Sequence, residues 1–272
     1  MALGAAPERK PKYSSLAVPL SEAHLYFRNH EAPIFWALSS HYLHQERFWS
    51  CGVTSTAMVV NAARTLMKGA SKLKADEPLA TESYLVSKLK SKVWWTFFGW
   101  SIGKGIGLGE LGAIVEESLG LYGVNPLKIE TVRMDGSNEA RKKLHDDLLK
   151  LENSGHLLMI ANFLQSVYTE DADVGHFAPV AAYDSANKKV LIFDPDRKWY
   201  EPYWVSEDTF VQGMNTPERF GDHKNRGRMA ESAAHLVDEV FPKAGIRQWV
   251  LSFPMPVRFI LAKNLKLQTR VL

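Results

Sequence analysis

Two apolar stretches late in the chain dictate how that part of it folds. Gly175-His176-Phe177-Ala178-Pro179-Val180-Ala181-Ala182-Tyr183 reads as one strand and Lys189-Val190-Leu191-Ile192-Phe193-Asp194 as a second. Between them lies Asp184-Ser185-Ala186-Asn187, whose polar side chains bond their own backbone in tight turns. The three pieces make a β-hairpin, and a hairpin of this length carries His176 and Asp194 towards the same end of a sheet. Residues 157–163 form another apolar strand.

The earlier chain reads differently. Residues 21–70 are mostly helical, with a break at 45–50, and residues 72–92 are helix-compatible apart from Pro78. Residues 108–119 read as a helix stopped by Gly120. Residues 138–153 read as another, with Leu144, Leu148 and Leu151 on one face. Residues 124–132 are strand-like, 206–214 suggest a helix, 225–240 are expected to be helical, and 248–251 and 257–261 read as late strands. Helices first and an antiparallel sheet later define an α+β fold. The expected organisation is a tail or added leader over 1–15 and one catalytic domain over 16–272. Its helical lobe spans about 16–120 and its sheet lobe about 121–272, with a site in the cleft between them.

Within the helical part, Gln45-Glu46-Arg47-Phe48-Trp49-Ser50-Cys51-Gly52 leads into a helix-like run. A helix N-terminus favours a thiolate, so Cys51 is placed to act as a nucleophile. Gln45, one loop upstream, can aim its side-chain N–H at the oxygen of a carbonyl under attack. His176 supplies a base and Asp194 an acid to orient it. A lone cysteine is more often a small buried hydrophobe, and a lone histidine more often structural. The combination of four residue types at plausible element boundaries outweighs those bland readings.

This order of glutamine, cysteine, histidine and orienting residue is that of papain-type enzymes, and the chain resembles the phytochelatin synthase family among them. Val59-Val60-Asn61-Ala62 resembles that family's helix after the nucleophile, and the segment from Gly175 to Tyr183 its Gly-His-Phe-Ser-Pro segment. The run from Asp194 to Val205 resembles its Asp-x-x-Arg-x-x-Tyr-x-Pro-x-Trp-Val pattern. Gly105-Ile106-Gly107-Leu108-Gly109-Glu110-Leu111, Met214-Asn215-Thr216 and Arg226-Gly227 extend the likeness. It covers roughly residues 15 to 230.

The resemblance implies a papain-like two-lobe fold and a reaction on glutathione. Cys51 would attack the bond between the cysteine and glycine of glutathione, with glycine leaving on a proton from His176. The γ-glutamylcysteinyl thioester would then pass to water, or to the amine of a second glutathione to give phytochelatins. Arg197 and Tyr200 would hold the incoming substrate, and Arg226 with Glu218 the γ-glutamyl group of the donor. Asp222 is a rival to Glu218 for the substrate amine. Surface charge is the competing reading for Arg197, Glu218 and Arg226, and packing for Tyr200. Asp196 stands where the family has a small or apolar residue. Additional cysteines, found in eukaryotic members, are missing here, so the chain resembles the short bacterial members that favour hydrolysis. Metal would therefore act through metal–glutathione thiolates rather than on the protein.

Composition bounds the remainder. A chain of 272 residues with 46% hydrophobic residues can bury one sizeable core. A net charge of +3 is too small to argue for nucleic acid and suits an anionic small substrate. One cysteine rules out an internal disulfide framework and leaves cytoplasm and periplasm both open. No apolar run reaches the roughly 18 residues of a membrane span. No cofactor and no metal site are expected. His41 and His44 have no third ligand, and structural zinc needs more thiols. The expected partners are glutathione and its metal thiolates, with no nucleic acid and no membrane, and a homodimer is allowed for.

Gly107-Leu108-Gly109-Glu110-Leu111-Gly112 matches a dinucleotide fingerprint literally, but no suitable strand precedes it, so it reads as the start of a helix. The aromatic run from Trp94 to Trp100 reads as core or as groove lining. Two rival functions remain. One is a peptidase of the double-glycine-leader type, which shares the Gln, Cys-Gly, His and Asp-Pro features. The other is a catalytically silent binding module.

Overall fold

The structure, a computed structural model, describes residues 12–47, 49–67, 77–90, 106–126, 128–170, 173–216 and 234–236. Among the described residues, seven strands form one antiparallel sheet in the order β1-β6-β5-β4-β3-β7-β2. They are β1 (Val18–Pro19), β2 (Glu130–Thr131), β3 (Leu158–Leu164), β4 (Gly175–Asp184), β5 (Lys189–Ile192), β6 (Tyr203–Ser206) and β7 (Ala234–Leu236). The helices are α1 (Tyr26–Asn29), α2 (Pro33–Ser39), α3 (Cys51–Leu66), α4 (Glu82–Lys88), α5 (Leu108–Leu121), α6 (Asn138–Ser154), α7 (Gln165–Tyr168) and α8 (Glu207–Asn215). The fold is α+β, with a helical first half and an antiparallel sheet in the second. Among the described residues no helix is long and apolar enough to cross a membrane.

Strand alternation splits the core in two. Leu158, Ile160, Phe177, Ala181, Leu191 and Trp204 face a core shared with α2, α3, α4 and α5. Met159, Ala161, Phe163, Ala178, Val180, Val190, Ile192, Tyr203 and Val205 face a second core closed by α6 and α8. The sheet is thus covered on both sides, which is why β3, β4 and β5 are apolar at consecutive positions rather than alternating.

Local chemistry fixes the hairpin. The Asp184 carboxylate accepts from Asn187 N at 3.1 Å and Asn187 Nδ2 at 2.8 Å, closing the turn. β4 and β5 then pair from Asp184↔Lys189 to Val180↔Ile192, with a register shift between Val180 and Ala182. α6 ends at Gly155, whose φ of 61° is the left-handed conformation glycine adopts cheaply.

α3 is buried all round, from Cys51 to Arg64, and forms the central helix of the first core. Its Asn61 side chain donates to Ala80 O and accepts from Ala80 N, both at 2.9 Å. That pair pins the segment leading into α4.

Two expectations change. Of residues 124–132, only Glu130–Thr131 is strand. Within residues 225–240, expected to be helical, Ala234–Leu236 is a strand between β3 and β2. Pairing with an open sheet edge outweighs the helical propensity of a charged segment. Tyr13 bridges to Thr169, and Ser14 Oγ donates to Tyr168 O at 2.9 Å. The Trp94–Trp100 cluster and the expected strands at 248–251 and 257–261 lie outside the described residues.

Candidate active site

Cys51 is the first residue of α3 and is 5% exposed. One turn on, Ser55 Oγ donates to Phe177 O at 3.0 Å. This bond sets the register of the cysteine helix against the strand that opens with His176. Ile106 packs over Gly52, where an added Cβ would lie 2.5 Å from its Cδ1. The glycines that follow resemble a dinucleotide fingerprint but open α5 from irregular chain. Glu110 accepts from Gly107 N at 2.6 Å, as in a capping box.

His176 is buried, and its Nε2 lies 2.8 Å from Asp194 Oδ1. The Cys51 side chain is the other group that bears on the charge of this ring. Burial of the ring opposes its charge, but Asp194 and then Cys51 outweigh burial and hold the His176 pKa well above its ordinary value. Phe163 packs edge-on against the ring at 5.6 Å, and Asn162 Nδ2 donates to His176 O at 3.0 Å.

Asp194 lies just past the end of β5, fully buried. Its Oδ1 also accepts from Asp196 N at 2.8 Å, and its Oδ2 from Tyr203 OH at 3.0 Å. Burial and then the Asp194 charge push the Tyr203 pKa well up, so its hydroxyl stays a donor. The backbone is held as well: Tyr42 OH donates to Asp194 O at 2.7 Å, and Gln45 N to Pro195 O at 2.8 Å. The residue proposed to polarise the substrate carbonyl is thus fastened to the chain beside the acid. The Gln45 Oε1 is buried and, among the described residues, accepts no hydrogen bond.

The predicted residues separate into three groups. His176 and Asp194 are hydrogen-bonded, Cys51 acts on the charge of the same ring, and Gln45 is tied to the chain beside Asp194 through Pro195. Arg197 is exposed and stacks on the Tyr42 ring at 4.4 Å while donating to Tyr42 O at 2.7 Å. Tyr200 is 2% exposed and packs against Tyr13 and Tyr203, which leaves its ring little surface for a substrate. Glu218, Asp222 and Arg226 lie outside the described residues. His41 contacts Thr65 Oγ1 at 2.8 Å and His44 faces Pro195 O at 3.3 Å.

Sequence reasoning missed Tyr42, Tyr203, Asn162 and Ser55. Tyr203 sits in the run from Asp194 to Val205, but a tyrosine in a strand signals packing just as well. Nothing in the sequence distinguishes the serine that bonds Phe177 O from its neighbours.

No curated protein sequence matches the chain significantly. The family model described as phytochelatin synthase matches residues 20–227, well over half of the chain. That match spans α3, the hairpin and the run after Asp194, and the chain belongs to the phytochelatin synthase family.

Proposed function

We propose that the protein removes glycine from glutathione through a thioester on Cys51, releasing γ-glutamylcysteine or passing it to a second glutathione. Family membership carries the γ-glutamylcysteine transferase type of activity on glutathione. The finer steps are our reading, and the observation that supports them is the buried His176–Asp194 bond, with Cys51 acting on the charge of the same ring.

In that reading the His176 imidazolium stabilises the Cys51 thiolate, and Asp194 stabilises the imidazolium. The thiolate attacks the carbonyl of the cysteinyl–glycine bond. Gln45 donates its side-chain N–H to the oxyanion. His176 gives its proton to the leaving glycine nitrogen, and the bond breaks. His176 then takes a proton from water or from the amine of a second glutathione as that nucleophile attacks the thioester. Arg197, at the exposed rim, holds the incoming carboxylate, while Tyr200 braces the run that carries Arg197. Glu218 and Arg226 hold the γ-glutamyl end of the donor. A chain whose single thiol is committed to the acyl step takes metal in with the substrate, as a metal–glutathione thiolate.

Mass spectrometry of glutathione incubated with the protein, with and without cadmium, tests this. Glycine and γ-glutamylcysteine are expected, together with longer polymers where the acceptor outcompetes water. Cys51→Ala should show neither. Unchanged glutathione in both tubes, or turnover by Cys51→Ala, overturns the reading.

A further inference from the structure

The loop from Gln45 to Ser50 must hold two catalytic groups in register, an amide at one end and a sulfur just past the other. A glutamate from a different element runs underneath it. Glu82, the first residue of α4, is 2% exposed. Its Oε2 accepts from Glu46 N at 2.9 Å, Ser50 Oγ at 2.6 Å and Thr54 Oγ1 at 3.2 Å. Its Oε1 accepts from Arg47 Nη1 at 3.0 Å. These four donors come from the residue after Gln45, the residue before Cys51, the first turn of α3, and the loop between.

We propose that Glu82 is a positioning residue for the oxyanion hole: it fixes the distance between the Gln45 amide and Cys51. This rests on the reaction proposed above. Charge excludes the obvious alternative. A carboxylate bonded to residues on both sides of Cys51 opposes a thiolate there, so Glu82 cannot act by activating the sulfur. Its burial makes sense as geometry. A buried carboxylate is stable only with its lone pairs filled, and here the loop supplies the donors, so loop and carboxylate fix each other. Arg47 is 51% exposed and supplies the counter-charge from the surface side. The support continues inward, because the Asn61 pair with Ala80 sets where α4 begins.

Two reactions of the same sulfur separate positioning from activation. Alkylation by iodoacetamide needs the thiolate but no oxyanion hole. Acylation by 4-nitrophenyl acetate, or by glutathione with glycine release, needs both. Glu82→Gln keeps one oxygen for the three Oε2 donors and should acylate within about 5-fold of the native rate. Glu82→Ala should lose about 10- to 100-fold in acylation, approaching the loss on removing an oxyanion donor. The loss should fall on kcat with KM little changed, and alkylation should not slow. Ser50→Ala removes one donor with Glu82 in place and should show a smaller split of the same sign. It serves should Glu82→Ala lack a cooperative unfolding transition. Native acylation in Glu82→Ala and Ser50→Ala, or alkylation falling in step with acylation, overturns the proposal. A native protein that takes the acetyl group but releases no glycine from glutathione refutes the substrate reading and leaves Glu82 tested by the ester.

Discussion

At the scale of single residues, the charge state of His176 governs the site. Burial alone would keep the ring neutral, and it carries charge because Asp194 and Cys51 surround it. Replacing Cys51 by Ala removes one of the two causes that raise its pKa. The His176 titration followed by NMR should therefore move down in that variant, yet stay above its fully buried, unpaired value because Asp194 remains. The sign carries over to stability. A ring whose folded pKa is raised contributes fully below its unfolded value of about 6.5, and the contribution is lost as pH rises through the folded value. An unchanged or rising titration in Cys51→Ala would mean that the sulfur does not hold the proton on His176. Tyr203 acts on the other side of Asp194. Tyr203→Phe leaves Asp194 Oδ2 one donor short at a fully buried position, at a cost of about 1–3 kcal/mol. Chemical denaturation should show that loss, and a steady-state assay a several-fold fall in kcat. The types and order of Cys51, His176 and Asp194 made them conspicuous in the sequence. The hydroxyls of Tyr42 and Tyr203 were not, because a tyrosine that bonds a catalytic acid looks like one that merely packs.

At the scale of elements, periodicity carried information where burial was one-sided or complete. α6 was legible from Leu144, Leu148 and Leu151, and the β4–β5 hairpin from its apolar runs and its Asp–Asn turn. The three-residue β7 was not, since short strands exist only through the partners they find. Packing of α8 turns on Gly213, where an added Cβ would lie 2.5 Å from the Tyr168 ring. That ring is fully buried and its hydroxyl donates to Phe210 O at 2.7 Å, so it cannot swing aside. Gly213→Ala should therefore destabilise by about 1–3 kcal/mol through overpacking, although alanine is the better helix former. A variant as stable as the native protein in denaturant titration would contradict this packing. The sequence concealed it because a glycine inside a helix pattern shows no sign of what lies opposite.

At the scale of the molecule, the two halves are sewn together by bonds from early to late residues. Leu20 N donates to Pro202 O at 2.8 Å, Tyr26 OH to Tyr183 O at 2.9 Å, and Trp204 Nε1 to Ala23 O at 3.0 Å. The bonds of Tyr42 and Gln45 to the Asp194–Pro195 carbonyls continue the same seam. We expect one cooperative calorimetric transition, with helical and sheet signals lost together, rather than two steps assignable to separate lobes. The α+β plan could be read from the helices-then-strands order. The seam could not, because it depends on backbone carbonyls that every residue type shares. The solitary Cys51 has a practical corollary. With no other sulfhydryl anywhere in the chain, counting reacted thiols counts working sites under the reaction proposed above. One equivalent of reagent silences one molecule, and the live fraction of any preparation becomes a simple stoichiometry.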